Sequence, residues 1–176
     1  MSSVSPAFNM ASAARSAGGF QALVKLGLVP YGDIVDAAPH APTLTFNTIG
    51  RHQSRLVRTR VVSDLSPWLS ACDTEEPYTV AISHGEGRFV ANDEVLAKLV
   101  ARGQVATQYV GADGLPSMDL AVNPNGSVAC IEGITSPDGR VLGKMGHVER
   151  RGDGLYRNVP GDKWMPLFES GVSYFA

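Results

Sequence analysis

The stretch that determines the fold class is residues 78–103, YTVAISHGEGRFVANDEVLAKLVARG. Its first part, residues 78–83, is an apolar run of strand length, which is typical of a strand buried on both faces of a sheet. Its last part predicts a helix, with Asn92 as the N-cap and Gly103 as a C-cap residue. The apolar positions of that helix, at the spacing of one buried face, are Val95, Leu96, Leu99 and Val100. A strand, a glycine-rich turn and a helix in succession indicate an α/β protein.

The segments on either side extend this pattern. Upstream, an apolar face with helical spacing predicts a helix from Phe20 to Leu28. The other segments predict strands, at residues 44–47, 56–62, 105–110, 127–135 and 140–145. The last two flank the turn sequence SPDG at residues 136–139. We therefore predict an α/β fold with a mixed sheet flanked by helices.

The composition of the 176-residue chain limits the classes of partner. Hydrophobic residues make up 44% of the sequence, enough for a core, and the formal net charge is -2. This charge gives no reason to expect nucleic acid or an anionic membrane as a partner, and no run is apolar enough to span a membrane. Two cysteines do not form a disulfide framework, so a reducing, cytoplasmic compartment is expected. Cys130 is expected in the core, and Cys72 in an exposed polar loop.

Two His-x-Glu pairs, His84 with Glu86 and His147 with Glu149, come directly after predicted strands. Loops at strand ends are common ligand sites in α/β proteins. On an extended segment, residues two apart point the same way, so the carboxylate can accept from one ring nitrogen and leave the other as a base. Alternatively, the two pairs together would form a metal site of a kind that suits zinc or iron. The plainest interpretation is a surface histidine beside a glutamate.

Three motifs lie in the order of a known enzyme family: GFQAL at residues 19–23, SHGEGRF at residues 83–89 and GKMGHVER at residues 143–150. Residues 47–56, 133–140 and 168–172 agree with the same family. On these residues the chain resembles the C-terminal class I glutamine amidotransferase domain of phosphoribosylformylglycinamidine synthase, in its large single-chain type. The resemblance implies an incomplete flavodoxin-like fold over residues 18–176, behind a poorly ordered, unmatched segment at residues 1–17.

The resemblance also implies roles for individual residues. His147 would be the general base and acid of a Cys-His-Glu triad, and Glu149 would orient it. Five residues would contact the substrate glutamine: Gln21, Ser83, His84, Gly85 and Glu86. In the family, ammonia released from glutamine passes to an ATP-dependent synthetase site, which amidates formylglycinamide ribonucleotide in purine biosynthesis.

The nucleophile position departs from the family pattern. Ala17 stands where the family has its cysteine, and Arg15 stands where the tight nucleophile turn has a glycine. Ser16 could replace the thiol only in a shifted alignment. Nothing in residues 1–16 resembles the strands and oxyanion-hole loop that precede the cysteine in the family, so we expect an N-terminally truncated domain that is inactive alone. A non-catalytic glutamine-binding or regulatory module is the alternative function.

The partners and cofactors also follow from the resemblance. Glutamine is the implied ligand, and synthetase domains of the same enzyme, in cis or in trans, are the implied protein partners. ATP and magnesium would bind in the synthetase part, so neither a cofactor nor a metal is expected in this chain. Neither nucleic acid nor a membrane is an expected partner.

Overall fold

The computed structural model describes residues 17–36 and 38–175. The segment predicted to be poorly ordered, residues 1–17, therefore lies outside the described residues except for Ala17. Ala17 begins the first helix.

The described part of the chain contains four helices and seven strands. Helices α1 to α4 span Ala17–Leu26, Leu28–Tyr31, Asp93–Ala101 and Leu167–Phe175. Strands β1 to β7 span Thr43–Thr45, Gln53–Val61, Tyr78–His84, Arg88–Val90, Val105–Tyr109, Ile131–Thr135 and Leu142–Lys144. Two 3₁₀ turns lie at Pro67–Leu69 and Val128–Cys130.

The main sheet has five strands in the order β3-β2-β5-β6-β7, and neighbouring strands pair antiparallel. A parallel bridge joins Tyr78 to Asp162 at the β3 edge, and an antiparallel bridge joins Ala81 to His147 on the same strand. A separate two-stranded sheet pairs β1 with β4. The β2–β3 ladder ends at the pair Gln53–His84, so the chain leaves the main sheet where the glycine-rich turn begins.

Two clusters of buried apolar side chains form the core. The first cluster joins the β2–β3 end of the sheet to the turn at Pro67–Leu69, with Ile82 and Trp68 among its members. The second cluster joins α1, α3 and β6, and it includes Ile134. The neighbours Val105 and Ala106 of β5 belong to different clusters, because successive side chains of a strand point to opposite faces. The sheet therefore separates the clusters at β5.

The central prediction, a buried strand followed by a helix, is confirmed. Strand β3 is buried along nearly its whole length. The Asn92 side chain caps α3 by accepting a hydrogen bond from the Val95 N–H at 2.8 Å. Gly103 follows the helix in the left-handed conformation, with φ 66°, which suits a residue without Cβ.

Three details of the predicted elements are wrong. Gly27, at φ 82°, ends α1 at Leu26, so Leu28 is not part of its apolar face. Val100 is 62% exposed, because it lies about 100° around the helix from the buried Leu99. The strand predicted from residue 127 begins only at Ile131, because two left-handed residues form a turn before it: Ala129 and Cys130, with φ 49° and 57°.

Some elements have no counterpart in the sequence-based prediction. These are α2, β4, α4 and the turn at Pro67–Leu69. The expected exposure of Cys72 is also wrong, since this side chain is half-buried against the first core cluster. In the described part of the chain, no helix is long and apolar enough to cross a membrane.

Candidate active site

His147 and Glu149 form a hydrogen-bonded pair just beyond β7. Glu149 Oε1 lies 2.7 Å from His147 Nδ1. The backbone N–H of His147 donates to the carbonyl oxygen of Ala81 at 2.8 Å, which holds this segment against β3. The His147 side chain is 4% exposed and that of Glu149 is 35% exposed, so the pair lies at the rim of the core.

The hydrogen-bond partner of His147 Nδ1 determines which ring nitrogen can act as a base. An ionised carboxylate can only accept, so the Nδ1 atom of His147 carries the hydrogen in this pair. In the neutral ring, the lone pair is then on Nε2, which is the arrangement of a general base with its orienting group. The structure thus brings together the two residues that the sequence assigned to the triad.

The glycine-rich turn at residues 83–87 is held by a buried side chain that the sequence analysis did not single out. Asn47 Nδ2 donates to the carbonyl oxygen of His84 at 2.9 Å, and Asn47 Oδ1 accepts from the Gly87 N–H at 3.0 Å. The backbone N–H of Asn47 donates to the Gly85 carbonyl oxygen at 2.9 Å. Asn47 therefore fixes both ends and the middle of the turn. The sequence offers little to identify Asn47, because its burial, which distinguishes it from an ordinary loop asparagine, is visible only in the structure.

His84 differs from the other residues of the turn by pointing into the protein. Its ring is buried, and Nε2 lies 2.9 Å from Asn125 Oδ1. Burial lowers the pKa of the His84 imidazole. A Cβ on Gly87 would come within 2.2 Å of this ring, so a glycine is needed there. Ser83, Gly85 and Glu86 are half-buried and reach the surface of the same turn.

Helix α1 meets the glycine-rich turn through Gln21. Gln21 Nε2 donates to Glu86 Oε2 at 2.8 Å and lies 3.3 Å from the carbonyl oxygen of Leu44. Two of the residues predicted to contact glutamine are therefore adjacent, although 65 positions separate them in the chain. Their contact with substrate stays a prediction.

A buried ion pair lies directly before His147. Lys144 Nζ is 3.3 Å from Glu132 Oε1, and the two side chains are 2% and 0% exposed. The sequence analysis missed this pair, because Glu132 stands in a segment predicted to be an ordinary strand and Lys144 was quoted only as part of the motif at residues 143–150. An acidic residue within an otherwise apolar strand was the only available signal.

The metal-site alternative receives no support from the geometry. No group of three or more His, Cys, Asp or Glu side chains within residues 17–36 and 38–175 could hold a metal ion. Three of the four side chains invoked are instead bonded elsewhere: His84 to Asn125, Glu86 to Gln21, and His147 to Glu149.

Neither native cysteine has the surroundings of a nucleophile. Burial raises the pKa of the Cys72 thiol to about 11 and also raises that of Cys130. Catalytic cysteines have a lowered pKa instead. Arg15 and Ser16 lie outside the described residues, so the shifted-serine alternative stays open.

Comparison with known proteins identifies the family. The model of the CobB/CobQ-like glutamine amidotransferase domain matches residues 16–175. The phosphoribosylformylglycinamidine synthase subunit PurQ of Thermomicrobium roseum is 42% identical over 114 residues, covering 65% of this chain and 46% of that protein. The subunit of the same name from Salinibacter ruber is 36% identical over 156 residues, covering 89% of this chain and 60% of that protein. The chain thus spans about half the length of these curated relatives.

A solved structure of PurLQS from Thermotoga maritima has a similar fold. The TM-score is 0.63 at 26% identity, and the match covers 97% of this chain and 68% of that one. The predicted α/β fold of a class I glutamine amidotransferase is thereby confirmed. The relatives are separate subunits, so the prediction of a large single-chain type is not confirmed, and N-terminal truncation stays untested.

Proposed function

This chain belongs to the CobB/CobQ-like glutamine amidotransferase family, and we propose that it corresponds to the glutaminase component of a phosphoribosylformylglycinamidine synthase. The observation that carries the proposal is the 2.7 Å bond between His147 and Glu149 beside the turn at residues 83–87. The names of the PurQ relatives support a role in purine biosynthesis. The synthetase components that would use the ammonia are the proposed partners, in cis or in trans.

In the reaction of a complete active site, a cysteine thiolate would attack the side-chain amide carbon of glutamine, and the protonated His147 ring would give its proton to the leaving ammonia. Water then attacks the thioester with His147 as the base, which releases glutamate and frees the thiol. Glu149 keeps the hydrogen of the ring on Nδ1 throughout.

We further propose that this chain, by itself, does not hydrolyse glutamine, because of the residue at the nucleophile position. Ala17 has no group that can form the thioester, so the first step has no nucleophile. The base and its orienting carboxylate remain in place. We expect no release of ammonia from glutamine by the purified chain, measured beside His147→Ala as a control. Release that disappears in His147→Ala would contradict the proposal of an inactive site.

A gain-of-function variant tests the role of His147 directly. Ala17→Cys supplies a thiol, and we expect a chloroketone analogue of glutamine to alkylate it, as detected by mass spectrometry. Adding His147→Ala should slow this labelling by about tenfold or more, because the base no longer assists thiolate formation. Both proteins also carry Cys72→Ala, so that the half-buried Cys72 thiol does not add background labelling. Equal labelling rates with and without His147 would contradict its role as the base.

The second candidate function is a non-catalytic glutamine-binding module. It is favoured by the contact between Gln21 and Glu86, which holds together two of the residues predicted to contact glutamine although the chain has no nucleophile. Calorimetry with millimolar glutamine should then give saturable heat that Glu86→Ala abolishes. Absence of heat from the folded chain would count against this function, whereas the labelling experiment would still test the first.

A further inference from the structure

The buried pair Glu132 and Lys144 surrounds one residue, Gly146, which directly precedes His147. The Gly146 N–H donates to Glu132 Oε1, and Lys144 Nζ donates to the Gly146 carbonyl oxygen at 3.3 Å. The pair therefore holds both polar backbone groups of this glycine. The N–H of the preceding residue, Met145, donates to the Glu132 backbone carbonyl oxygen at 3.1 Å.

Glu132 is itself fixed from the other side. Its Oε2 accepts hydrogen bonds from Thr107 Oγ1, and from Thr59 Oγ1 at 3.3 Å. Burial raises the pKa of the Glu132 carboxyl, but the charge of Lys144 and the hydrogen bonds from Thr107 and Gly146 outweigh burial and lower it. Glu132 is therefore an ionised acceptor anchored to β2 and β5.

The neighbours of Gly146 lie so close that a side chain would not fit at this position. A Cβ at that position would lie 2.6 Å from Val80 Cγ2, 2.9 Å from Glu132 Oε1 and 3.0 Å from Lys144 Nζ. Such contacts leave no room for a side chain between the pair and β3. The turn before His147 can therefore approach the two charges only because residue 146 is a glycine.

A buried ion pair is weak evidence of stability, because removing both charges from water costs about as much as their attraction returns. Stability alone therefore does not explain why these two charges are buried here. We propose that Glu132 and Lys144 are positioning residues, which hold the Gly146 backbone so that the His147 ring keeps its hydrogen bond to Glu149. That His147 acts as a base rests on the proposed function, whereas the placement of its ring does not.

The test is made on the full chain by NMR, with the Nδ1 proton of His147 and the amide exchange of Gly146 as readouts. In Glu132→Met/Lys144→Met both charges are replaced by apolar side chains of similar length, so neither charge is left buried without its partner. We expect the hydrogen-bonded Nδ1 signal to disappear and Gly146 exchange to accelerate by about tenfold, because the buried N–H has lost its acceptor. A folded double variant that keeps both signals would overturn the proposal.

Two further variants separate positioning from a general loss of stability. Gln104→Met removes another buried polar side chain, which bonds to the carbonyl oxygens of Pro30 and Thr135, and it should leave both readouts unchanged. Loss of the His147 signal in this control would also overturn the proposal.

Glu132→Gln/Lys144→Met keeps an acceptor for Gly146 and leaves no unpaired buried charge, so it should preserve the Nδ1 signal better than Glu132→Met/Lys144→Met does. Equal loss of the signal in the two double variants would contradict positioning through Gly146. If only Glu132→Gln/Lys144→Met folds, loss of its Nδ1 signal would contradict the proposal as well. None of these NMR measurements requires glutamine. Equal labelling rates with and without His147 would therefore contradict the proposed function and leave this inference intact.

Discussion

The thiol of Cys72 packs against the first core cluster, and burial raises its pKa from 9.0 to about 11. The folded state therefore disfavours the thiolate, whereas the unfolded chain ionises with the lower pKa. The contribution of Cys72 to stability is fully present below pH 9 and is lost as the pH rises from 9 towards 11. We expect the free energy of unfolding, from urea titrations, to fall over this range.

Cys72→Ala is the control for this pH dependence. Tyr78 also has a pKa raised by burial, so part of the decline between pH 9 and 11 comes from that residue. The variant should show a shallower decline than the parent chain. An identical slope would mean that Cys72 has no part in the pH dependence.

Asn47 is the residue on which the geometry of the glycine-rich turn depends most. Asn47→Ala would leave the Gly87 N–H without its side-chain acceptor, in a buried position. A buried unpaired group costs about 1–3 kcal/mol. In a domain of this size the melting temperature should then fall by about 2–12 °C, on the scale of 2–4 °C per kcal/mol. Gln53→Ala, which removes one longer and half-exposed hydrogen bond, should change the melting temperature much less.

At the scale of elements, the docking of α4 depends on Gly171. A Cβ there would lie 2.2 Å from Trp68 Cζ3, and the indole is held because its Nε1 donates to the Arg140 carbonyl oxygen at 2.7 Å. Gly171→Ala gains about 1 kcal/mol in helix propensity but loses about 1–3 kcal/mol by overpacking. We expect net destabilisation in thermal unfolding. Val172→Ala, at a neighbouring position that is 68% exposed, should stay within about 0.5 kcal/mol of the parent.

The elements also show which parts of the fold were predictable. Strand β3 and helix α3 were, because an apolar run and a capped amphipathic stripe are local signals. Helix α4 was not predicted, because Gly171 disfavours a helix and the packing of the helix against Trp68 joins segments far apart in the chain. The turn before β6 was missed because two non-glycine residues adopt positive φ there, against their intrinsic preference.

For the whole molecule, the division of the core into two clusters predicts independent effects. Ile82 in β3 and Ile134 in β6 belong to different clusters and are three strand spacings apart, roughly 14 Å. Ile82→Val and Ile134→Val should each cost about 0.5–1.5 kcal/mol in urea unfolding. In the double variant the two costs should add within about 0.5 kcal/mol, since the sites share no contact. A larger deviation would show that the sheet couples the clusters.

The sequence by itself determined the α/β class, the positions of most of the strands along the chain, and the pairing of His147 with Glu149. These features depend on residues within a few positions of one another, whose spacing fixes which way side chains point. Only the tertiary structure decided that Gln21 meets Glu86, that Asn47 holds His84, and that Glu132 meets Lys144 beneath Gly146. The first two contacts join residues 65 and 37 positions apart. The partner in each of these contacts is set by the packing of the whole chain, so local spacing in the sequence does not identify it.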